Sequence, residues 1–238
     1  MAQHGWHVNV DNCIACRACE GACKQEFDLP VGVRRRRVVV DEGTASGAPY
    51  KRHLTMACMH CAKPACLRAC PVGRYWKDDS TYSQPGTDVA ALRTHFGMTG
   101  AETGLVLMKP TVEESAAVGV DCIGCKRCLA ACPYGAPQFD ETTEQMDKCT
   151  GCFHRWAAVP ATSTLPMARR KPACVVSCTA LALSFGDMAD VATWAQRRAG
   201  APLTADTWGG TPPAGGKEIA DPLRTAPSVR FTPQRNIP

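Results

Sequence analysis

The sixteen cysteines of this 238-residue chain constrain its fold more than any other feature. They fall into four groups of four, here called quartets, and none is left over. The third quartet has the spacing C-x2-C-x2-C-x3-C and is followed by Pro133. The quartets, in chain order, are Cys13, Cys16, Cys19, Cys23; Cys58, Cys61, Cys66, Cys70; Cys122, Cys125, Cys128, Cys132; and Cys149, Cys152, Cys174, Cys178. This internal repeat indicates that the cysteines act in fours.

The spacing of the third quartet is the one that holds cubane iron–sulfur clusters. Three closely spaced cysteines can bring three thiolates to three irons of one Fe4S4 cube. The last cysteine follows a longer step and faces away, so in two-cluster proteins it binds the other cluster. The sequence therefore predicts clusters that come in pairs. Because all sixteen ligand positions hold cysteine, we expect four 4Fe-4S clusters and no three-iron cluster.

The quartets differ in their gaps and in the residue that follows the last cysteine. The middle gap of the second quartet has four residues, and 21 residues separate Cys152 from Cys174. Proline follows the second and third quartets, whereas Lys24 and Thr179 stand at this position in the first and fourth. We interpret these differences as variations of one motif.

Two other uses of paired cysteines fit less well. A disulfide framework belongs to short secreted chains with a signal peptide, and Cys13 leaves no room for an apolar h-region before it. Structural zinc uses paired C-x2-C steps, and the fourth quartet alone would allow it. A third cysteine two residues further on, as in the first and third quartets, is not a zinc spacing. A zinc-stabilised binding module is kept as the alternative from another class.

Composition and charge agree with an interior that contains inorganic clusters. Aromatic residues make up only 6% of the chain, and the formal net charge is +5. An Fe4S4 core of about +2 with four thiolates carries about −2, so four sites would add about −8. Part of the Lys and Arg excess therefore offsets cluster charge.

The chain has no nucleic-acid reader motif, so we predict no nucleic-acid partner.

Short strands are expected to lead into the cysteine loops. Trp6, Val8 and Val10 alternate with polar residues before the first quartet, and Val118 and Val120 do so before the third. This alternation predicts a strand at each place.

The connection between the second and third quartets, residues 74–119, is long for a compact unit and is interpreted as an insertion. Thr87 is the expected cap of a helix over residues 88–96, which Gly97 would end. Residues 105–108 are expected to form a strand.

A further helix is expected from Asp187 to Ala199. The tail after it is rich in proline and glycine, so we expect it to be extended, without a core, and to wrap a neighbouring subunit.

Several charged residues near the quartets are candidates for a role at the clusters. The run Arg34–Arg37 predicts a strand with arginines on both faces, which either meet solvent or contact an acidic partner surface or a cluster. His60 and His154 are expected to form hydrogen bonds or to face solvent rather than to be ligands. Lys126 and Lys148 are candidates for tuning a cluster.

The chain resembles the four-cluster electron-transfer subunit of the dimethyl sulfoxide reductase family of molybdenum enzymes. The matching stretches are CIACRAC (13–19), ACMHCAKPACLRACP (57–71), CIGCKRC (122–128), KPAC (171–174) and PSV (227–229). The likeness covers most of residues 5–190. It implies an α+β fold of two ferredoxin-like units, each holding two 4Fe-4S clusters, with loop insertions and an extended C-terminal tail.

The resemblance also implies the domain limits. The outer unit comprises residues 1–50 and 140–200, with the first and fourth quartets. The inner unit comprises residues 51–139, with the second and third quartets and the insertion 74–119. Residues 201–238 form the tail.

The same resemblance implies which quartets exchange their last cysteine. The first quartet pairs with the fourth, and the second pairs with the third. The spacing by itself predicts that quartets exchange their last cysteines, but it does not predict which quartets form a pair. The implied ligands are Cys13, Cys16, Cys19, Cys178 (cluster 1); Cys58, Cys61, Cys66, Cys132 (cluster 2); Cys122, Cys125, Cys128, Cys70 (cluster 3); and Cys149, Cys152, Cys174, Cys23 (cluster 4).

The expected function is electron transfer without catalysis by the isolated chain. The sequence has no nucleotide fingerprint, no nucleophile elbow and no open metal site with His and carboxylate ligands. The resemblance implies a relay of single electrons between a molybdenum bis-pterin catalytic subunit and a membrane-anchored quinone-reactive subunit or a soluble carrier. The iron–sulfur subunit of a formate dehydrogenase or hydrogenase complex is the alternative.

The expected location follows from two absences in the sequence. No segment approaches the roughly 18 apolar residues of a membrane span, and the N-terminus offers no signal peptide. We therefore expect a chain made in the cytoplasm and held at a membrane by its partners, either on the cytoplasmic face or after export with a folded partner.

Overall fold

Short strands and short helices alternate along the chain, because each cysteine loop ends one element and begins the next. The computed structural model describes residues 3–45, 47–82, 84, 86–159, 163–164, 166, 169–188 and 226–232. The strands are β1 (His4–Asn9), β2 (Arg37–Ala45), β3 (Ala48–Met56), β4 (Tyr75–Lys77), β5 (Val106–Met108), β6 (Gln138–Asp140), β7 (Gln145–Asp147), β8 (Leu183–Asp187) and β9 (Val229–Thr232). The α-helices are α1 (Ala18–Glu26), α2 (Ala65–Ala69), α3 (Val89–His95), α4 (Arg127–Ala131) and α5 (Ala173–Val176), and a 3-10 turn covers Phe153–Arg155.

Strand β1 is the centre of a three-stranded sheet. It pairs antiparallel with β8 and parallel with β9, so that Trp6 lies opposite both Phe185 and Val229. Trp6, His7 and Val8 are all buried, so both faces of this strand are covered. The sheet thus joins the segment before the first quartet to the segment after the fourth.

Three antiparallel strand pairs connect the remaining quartets. The long hairpin β2–β3 runs in register from Arg37 opposite Met56 to Ala45 opposite Ala48 and leads into the second quartet. Strand β4 pairs with β5 between the second and third quartets, and β6 pairs with β7 between the third and fourth.

Four of the five α-helices begin around the third cysteine of a quartet and pack in pairs. Helix α1 packs against α5, and α2 packs against α4. Cys70 and Cys132 end their helices with an extended backbone. The helical turn therefore holds the third cysteine, and the change to an extended backbone turns the chain away at the fourth.

The main core combines large apolar side chains with cysteines. Leu54, Trp76, Leu105 and Phe231 are at most 1% exposed and belong to one cluster that also includes Cys19, Cys58, Cys61, Cys132, Cys149 and Cys174.

Among the described residues, no helix is both long and apolar enough to cross a membrane.

Two of the strands expected from the sequence are confirmed. The expected strand before the first quartet is β1, and the one within residues 105–108 is β5.

The strand expected at Val118 and Val120 is wrong. The segment instead folds into two successive turns, in which the Ser115 amide donates to the Thr111 carbonyl and the Gly119 amide to the Ser115 carbonyl. The strand that precedes the third quartet is therefore β5, several residues earlier.

Two further expectations need revision. The helix over residues 89–95 is capped by Asp88, whose side chain accepts a hydrogen bond from the Ala91 amide at 2.9 Å, and not by Thr87. The expected helix from Asp187 to Ala199 does not begin at Asp187, because this residue ends β8, and the part after Met188 lies outside the described residues.

The sequence predicts a tail that has no part in a core, and the described residues of the tail differ from this. Residues 226–232 return to the main core, where β9 pairs with β1. Phe231 is 1% exposed and Ser228 donates to the His60 carbonyl at 2.8 Å.

We predict that Phe231→Ala destabilises the protein by about 3–5 kcal/mol, because it removes a fully buried ring and leaves a cavity beside β1. Anaerobic urea unfolding, followed by the visible absorbance of the expected iron–sulfur clusters, measures the effect. Val31→Ala is the control, since Val31 is fully exposed. Equal midpoints for the two variants would contradict the role of β9 in the core.

Candidate metal centres

Three cavities of the structure are each lined by four cysteines from two different quartets. We call them sites 1, 2 and 3. Site 1 has Cys13, Cys16, Cys19 and Cys178; site 2 has Cys58, Cys61, Cys66 and Cys132; site 3 has Cys70, Cys122, Cys125 and Cys128. In each site three cysteines come from one quartet and the fourth is the last cysteine of another.

The remaining four cysteines also lie together and are called site 4. They are Cys23, Cys149, Cys152 and Cys174. Burial and then the charges of Cys149 and Cys174 raise the pKa of Cys23 to about 12, and the same neighbours act on Cys152. The four predicted ligand sets are therefore each close together in space.

A left-handed backbone residue shapes the first C-x2-C loop of every quartet. The residue before the second cysteine is Ala15, His60, Gly124 or Gly151, with φ of 55°, 41°, 62° and 71°. Only two of the four are glycines, although this conformation costs other residues roughly 1–2 kcal/mol. Such conformations persist where surrounding contacts fix them, and they cluster at functional sites.

The chain leaves three of the quartets through the same turn. Gly73, Gly135 and Leu181, each three residues after the last cysteine, have φ of 69°, 57° and 51°. Each donates its amide to the carbonyl of that cysteine, at 3.3, 3.2 and 3.1 Å. The fourth quartet thus keeps the turn although Thr179 replaces proline and a leucine replaces glycine.

The first quartet departs from this turn because α1 continues past Cys23 to Glu26. Lys24 stabilises the continuation, since its Nζ donates to the carbonyls of Pro30 and Val33 at 2.8 and 3.1 Å. The missing proline at position 24 therefore allows a longer helix. Glu26 then binds Arg155 and His154, which follow Cys152, at 2.6 and 2.7 Å.

Backbone amides point at several cysteine sulfurs. Two patterns recur: an amide two residues after the first cysteine of a quartet, and an amide four residues after the last. The pairs are His60 to Cys58 (3.5 Å), Gly124 to Cys122 (3.5 Å), Gly151 to Cys149 (3.4 Å), Arg74 to Cys70 (3.3 Å) and Ala136 to Cys132 (3.4 Å). Such donors favour the thiolate form and help to set the reduction potential of a cluster.

Burial disfavours the free thiolate form of several cysteines. Burial raises the pKa of Cys58 to about 11 and that of Cys66 to about 12. Iron binds thiolates, so it must displace these protons when it binds. Among the described residues, no three His, Cys, Asp or Glu side chains form a group that could hold a single metal ion. Four sulfurs around each cavity fit a cluster that has several irons.

Lys148 lies between two of the sites. It is fully buried, lines site 2, and its Nζ donates to the Val106 carbonyl and to the Cys149 carbonyl, the latter at 2.9 Å. Its charge is the largest influence that opposes the effect of burial on the pKa of Cys58. The tuning role expected for Lys148 is therefore consistent with its position, whereas Lys126 stacks over Phe139 at 3.7 Å.

His60 and His154 differ in their burial and in the groups that they contact. His60 is fully buried, stacks on Trp6 and accepts from the Val106 amide at 3.2 Å. Burial, and then the charges of Lys148 and Lys77, lower its pKa well below the usual value, so the ring is neutral. His154 is partly exposed and pairs with Glu26. Neither lines the cavity of site 1, 2 or 3.

The alternatives expected for the run Arg34–Arg37 included contact with a cluster, but the sequence did not distinguish Arg36 from its neighbours. The run Arg34–Arg37 looks uniform in sequence, but Arg36 alone of the four is buried, beside the sulfurs of sites 1 and 4. Arg35 instead binds Asp147 through two hydrogen bonds of 2.6 and 2.7 Å. The strand expected over this run begins only at Arg37.

Comparison with known proteins agrees with this geometry. A family described as "4Fe-4S dicluster domain" matches residues 49–188, and a "4Fe-4S binding domain" matches residues 10–28. The protein is thus a ferredoxin-type iron–sulfur protein that binds 4Fe-4S clusters.

Individual relatives show to which iron–sulfur proteins the sequence is similar. Over 192 residues, 77% of this sequence and 73% of the relative, it is 33% identical to one of the chains of anaerobic dimethyl sulfoxide reductase from Escherichia coli. It is 33% identical to the formate dehydrogenase iron-sulfur subunit of Wolinella succinogenes, over 79% of this sequence and 82% of the relative. It is 30% identical to a sulfite dehydrogenase subunit from Allochromatium vinosum, over 80% and 71%.

The protein therefore belongs to the iron–sulfur electron-transfer subunits of the dimethyl sulfoxide reductase family of molybdenum oxidoreductases. It transfers electrons within an oxidoreductase complex and is not the catalytic subunit.

We predict opposite stability changes at two equivalent turn positions. Leu181→Gly should stabilise the protein by about 0.5–1 kcal/mol, because it relieves a left-handed leucine whose side chain is 79% exposed. Gly73→Ala should destabilise it by about 1 kcal/mol, because alanine is strained at a φ of 69°, although its Cβ would meet only the Nζ of Lys109 at 3.9 Å. Anaerobic urea midpoints measure both, and shifts of the same sign would contradict the shared turn.

Proposed function

We propose that sites 1–4 each hold one 4Fe-4S cluster, so that the chain carries four. The ligands are then those of the four predicted sets: Cys13, Cys16, Cys19, Cys178; Cys58, Cys61, Cys66, Cys132; Cys70, Cys122, Cys125, Cys128; and Cys23, Cys149, Cys152, Cys174. The observation that carries the proposal is the convergence of four cysteines from two quartets at every site. These residues would supply one thiolate to each iron of a cube, and the cluster supplies the capacity to accept and release one electron.

The proposed clusters form two ferredoxin-like units. The outer unit comprises residues 1–50 and 140–200, and the inner unit residues 51–139 with the insertion 74–119. The packing of α1 on α5 and the pairing of β1 with β8 support the outer unit, and the packing of α2 on α4 supports the inner unit. Strand β9 adds residues 229–232 to the sheet of the outer unit.

In each proposed unit, one helix links the two sites through cysteines that are one helical turn apart. Cys19 of site 1 and Cys23 of site 4 are spaced i, i+4 within α1. Cys66 of site 2 is on α2, and Cys70 of site 3 ends that helix. Residues at this spacing are neighbours, with Cβ atoms about 5–6 Å apart. An electron can therefore pass from one proposed cluster to the next through short stretches of packed protein.

The proposed row runs from site 1 through sites 4 and 2 to site 3. Lys148 supports the central step, since it lines site 2 and binds the carbonyl of Cys149 of site 4. The two exposed cysteines of the sixteen, Cys16 and Cys125, belong to sites 1 and 3. Ile14 and Ile123 beside them are 64% and 61% exposed. These two ends are where electrons would enter and leave.

The proposed partners are those of the family. A molybdenum bis-pterin catalytic subunit receives or delivers electrons at one end of the row, and a membrane-anchored quinone-reactive subunit or a soluble carrier does so at the other. The relatives named for dimethyl sulfoxide reductase, formate dehydrogenase and sulfite dehydrogenase support this assignment. Any association with a membrane would then run through the partners.

We predict about 16 irons and about 16 acid-labile sulfides per chain after anaerobic purification, because four cubes each contain four of each atom. Metal analysis of the complex, corrected for iron in other subunits, measures this. About four zincs per chain without sulfide would instead support the zinc-binding alternative.

We further predict that Cys178→Ser perturbs the same electron paramagnetic resonance (EPR) signal as Cys13→Ser. The reason is that both thiolates belong to site 1, although Cys178 is in the fourth quartet. Cys152→Ser is the matched control and should perturb a different signal. If Cys178→Ser and Cys152→Ser changed one and the same signal, the last cysteines would not be exchanged.

A further inference from the structure

Arg36 is a buried cation whose neighbours are cysteine sulfurs rather than carboxylates. Its residue is 5% exposed, and within the described part of the chain it forms no salt bridge with Asp or Glu. The charged groups around it come from sites 1 and 4. They are Cys174, Cys19, Cys149 and Cys23. The guanidinium of an arginine stays protonated in proteins, so Arg36 is charged.

A short polar connection links the two sites through this residue. The Arg36 Nη1 donates to the Thr55 Oγ1 at 3.1 Å, and this oxygen lies 3.5 Å from the Cys19 Sγ of site 1. Thr55 is 2% exposed. The guanidinium also forms a side-chain hydrogen bond with Cys174 of site 4.

The direction of the hydrogen bonds follows from chemistry. A metal-bound thiolate carries no proton, so the Thr55 hydroxyl must donate to Cys19 and accept from Arg36. Its dipole is polarised by the guanidinium, which strengthens the bond to the sulfur. The positive charge of Arg36 therefore acts on the Cys19 sulfur of site 1 through the Thr55 hydroxyl. It acts on the Cys174 sulfur of site 4 directly.

We propose that Arg36 and Thr55 form a buried electrostatic bridge that raises the reduction potentials of the clusters in sites 1 and 4 together. The inference rests on the proposed occupancy of these sites. Reduction adds one negative charge to a cluster, and a fixed cation or a hydrogen bond to a ligand sulfur stabilises that charge. Because the bridge is buried, the attraction is screened far less than at a surface. One cation that acts on both sites moves both potentials in the same direction.

The test is a redox titration of the anaerobically purified complex, followed by EPR. In Arg36→Gln we expect two of the four midpoint potentials of this chain to become more negative, and the other two to stay. The two should be those of the signals that Cys13→Ser and Cys152→Ser perturb. Arg36→Lys keeps the charge but not the fork of donors, so its shifts should be smaller.

Arg37→Gln is the matched control. It removes the same charge one residue away, but Arg37 donates to the carbonyls of Gly135 and Tyr134 at 3.0 and 2.8 Å, and its sulfur neighbour is Cys132 of site 2. A change in potential should therefore fall on site 2. The bridge is overturned if Arg37→Gln shifts the same two potentials as Arg36→Gln, or if Arg36→Gln with full iron content shifts none.

If Arg36→Gln fails to assemble, Thr55→Val tests the proposed bridge instead. It keeps the guanidinium and removes only the hydroxyl, so it should make the potential of site 1 more negative and leave site 4 unchanged. No shift in Thr55→Val would overturn the bridge. A wild-type chain with fewer than about 16 irons would instead overturn the proposed clusters, so the two failures can be told apart.

Discussion

The i, i+4 spacing between the third and last cysteine of a quartet is the constraint on which the rest of this structure depends. One turn of helix separates these two sulfurs, as for Cys19 and Cys23 in α1, and the structure places them in different sites. A quartet therefore cannot complete a site alone and needs a second one. The helix pairs α1–α5 and α2–α4, with the sheet that joins β1 to β8, follow from this need.

The repeat explains how much the sequence could predict. Cysteine spacing is a local property, and the positive φ before the second cysteine recurs whether the residue is Ala15 or Gly151. The four ligand sets could be predicted only with the family resemblance, because spacing does not say which quartets exchange cysteines. The short alternation at Val118 and Val120 is misleading, because hydrogen bonds within residues 111–119 compete with strand formation.

Other features depend on contacts between distant parts of the chain. Four consecutive arginines are chemically identical, and only the packing of the hairpin β2–β3 buries Arg36 and directs Arg35 to Asp147. Strand β9 is equally difficult to predict from the sequence, since Val229 and Phe231 follow a long segment rich in proline and glycine. Lys148 is a candidate from the sequence because it adjoins Cys149, but its burial between sites 2 and 4 is a tertiary property.

We propose that electrons pass along a row of sites whose ligands are shared between quartets. An iron anomalous difference map of the anaerobic complex tests this most directly, because it locates the metal without reference to the protein sequence. Shared ligands predict four separate peaks in this chain, in the order of sites 1, 4, 2 and 3, each surrounded by three cysteines of one quartet and the last cysteine of another. Fewer than four peaks, or peaks enclosed by the cysteines of a single quartet, would contradict this arrangement.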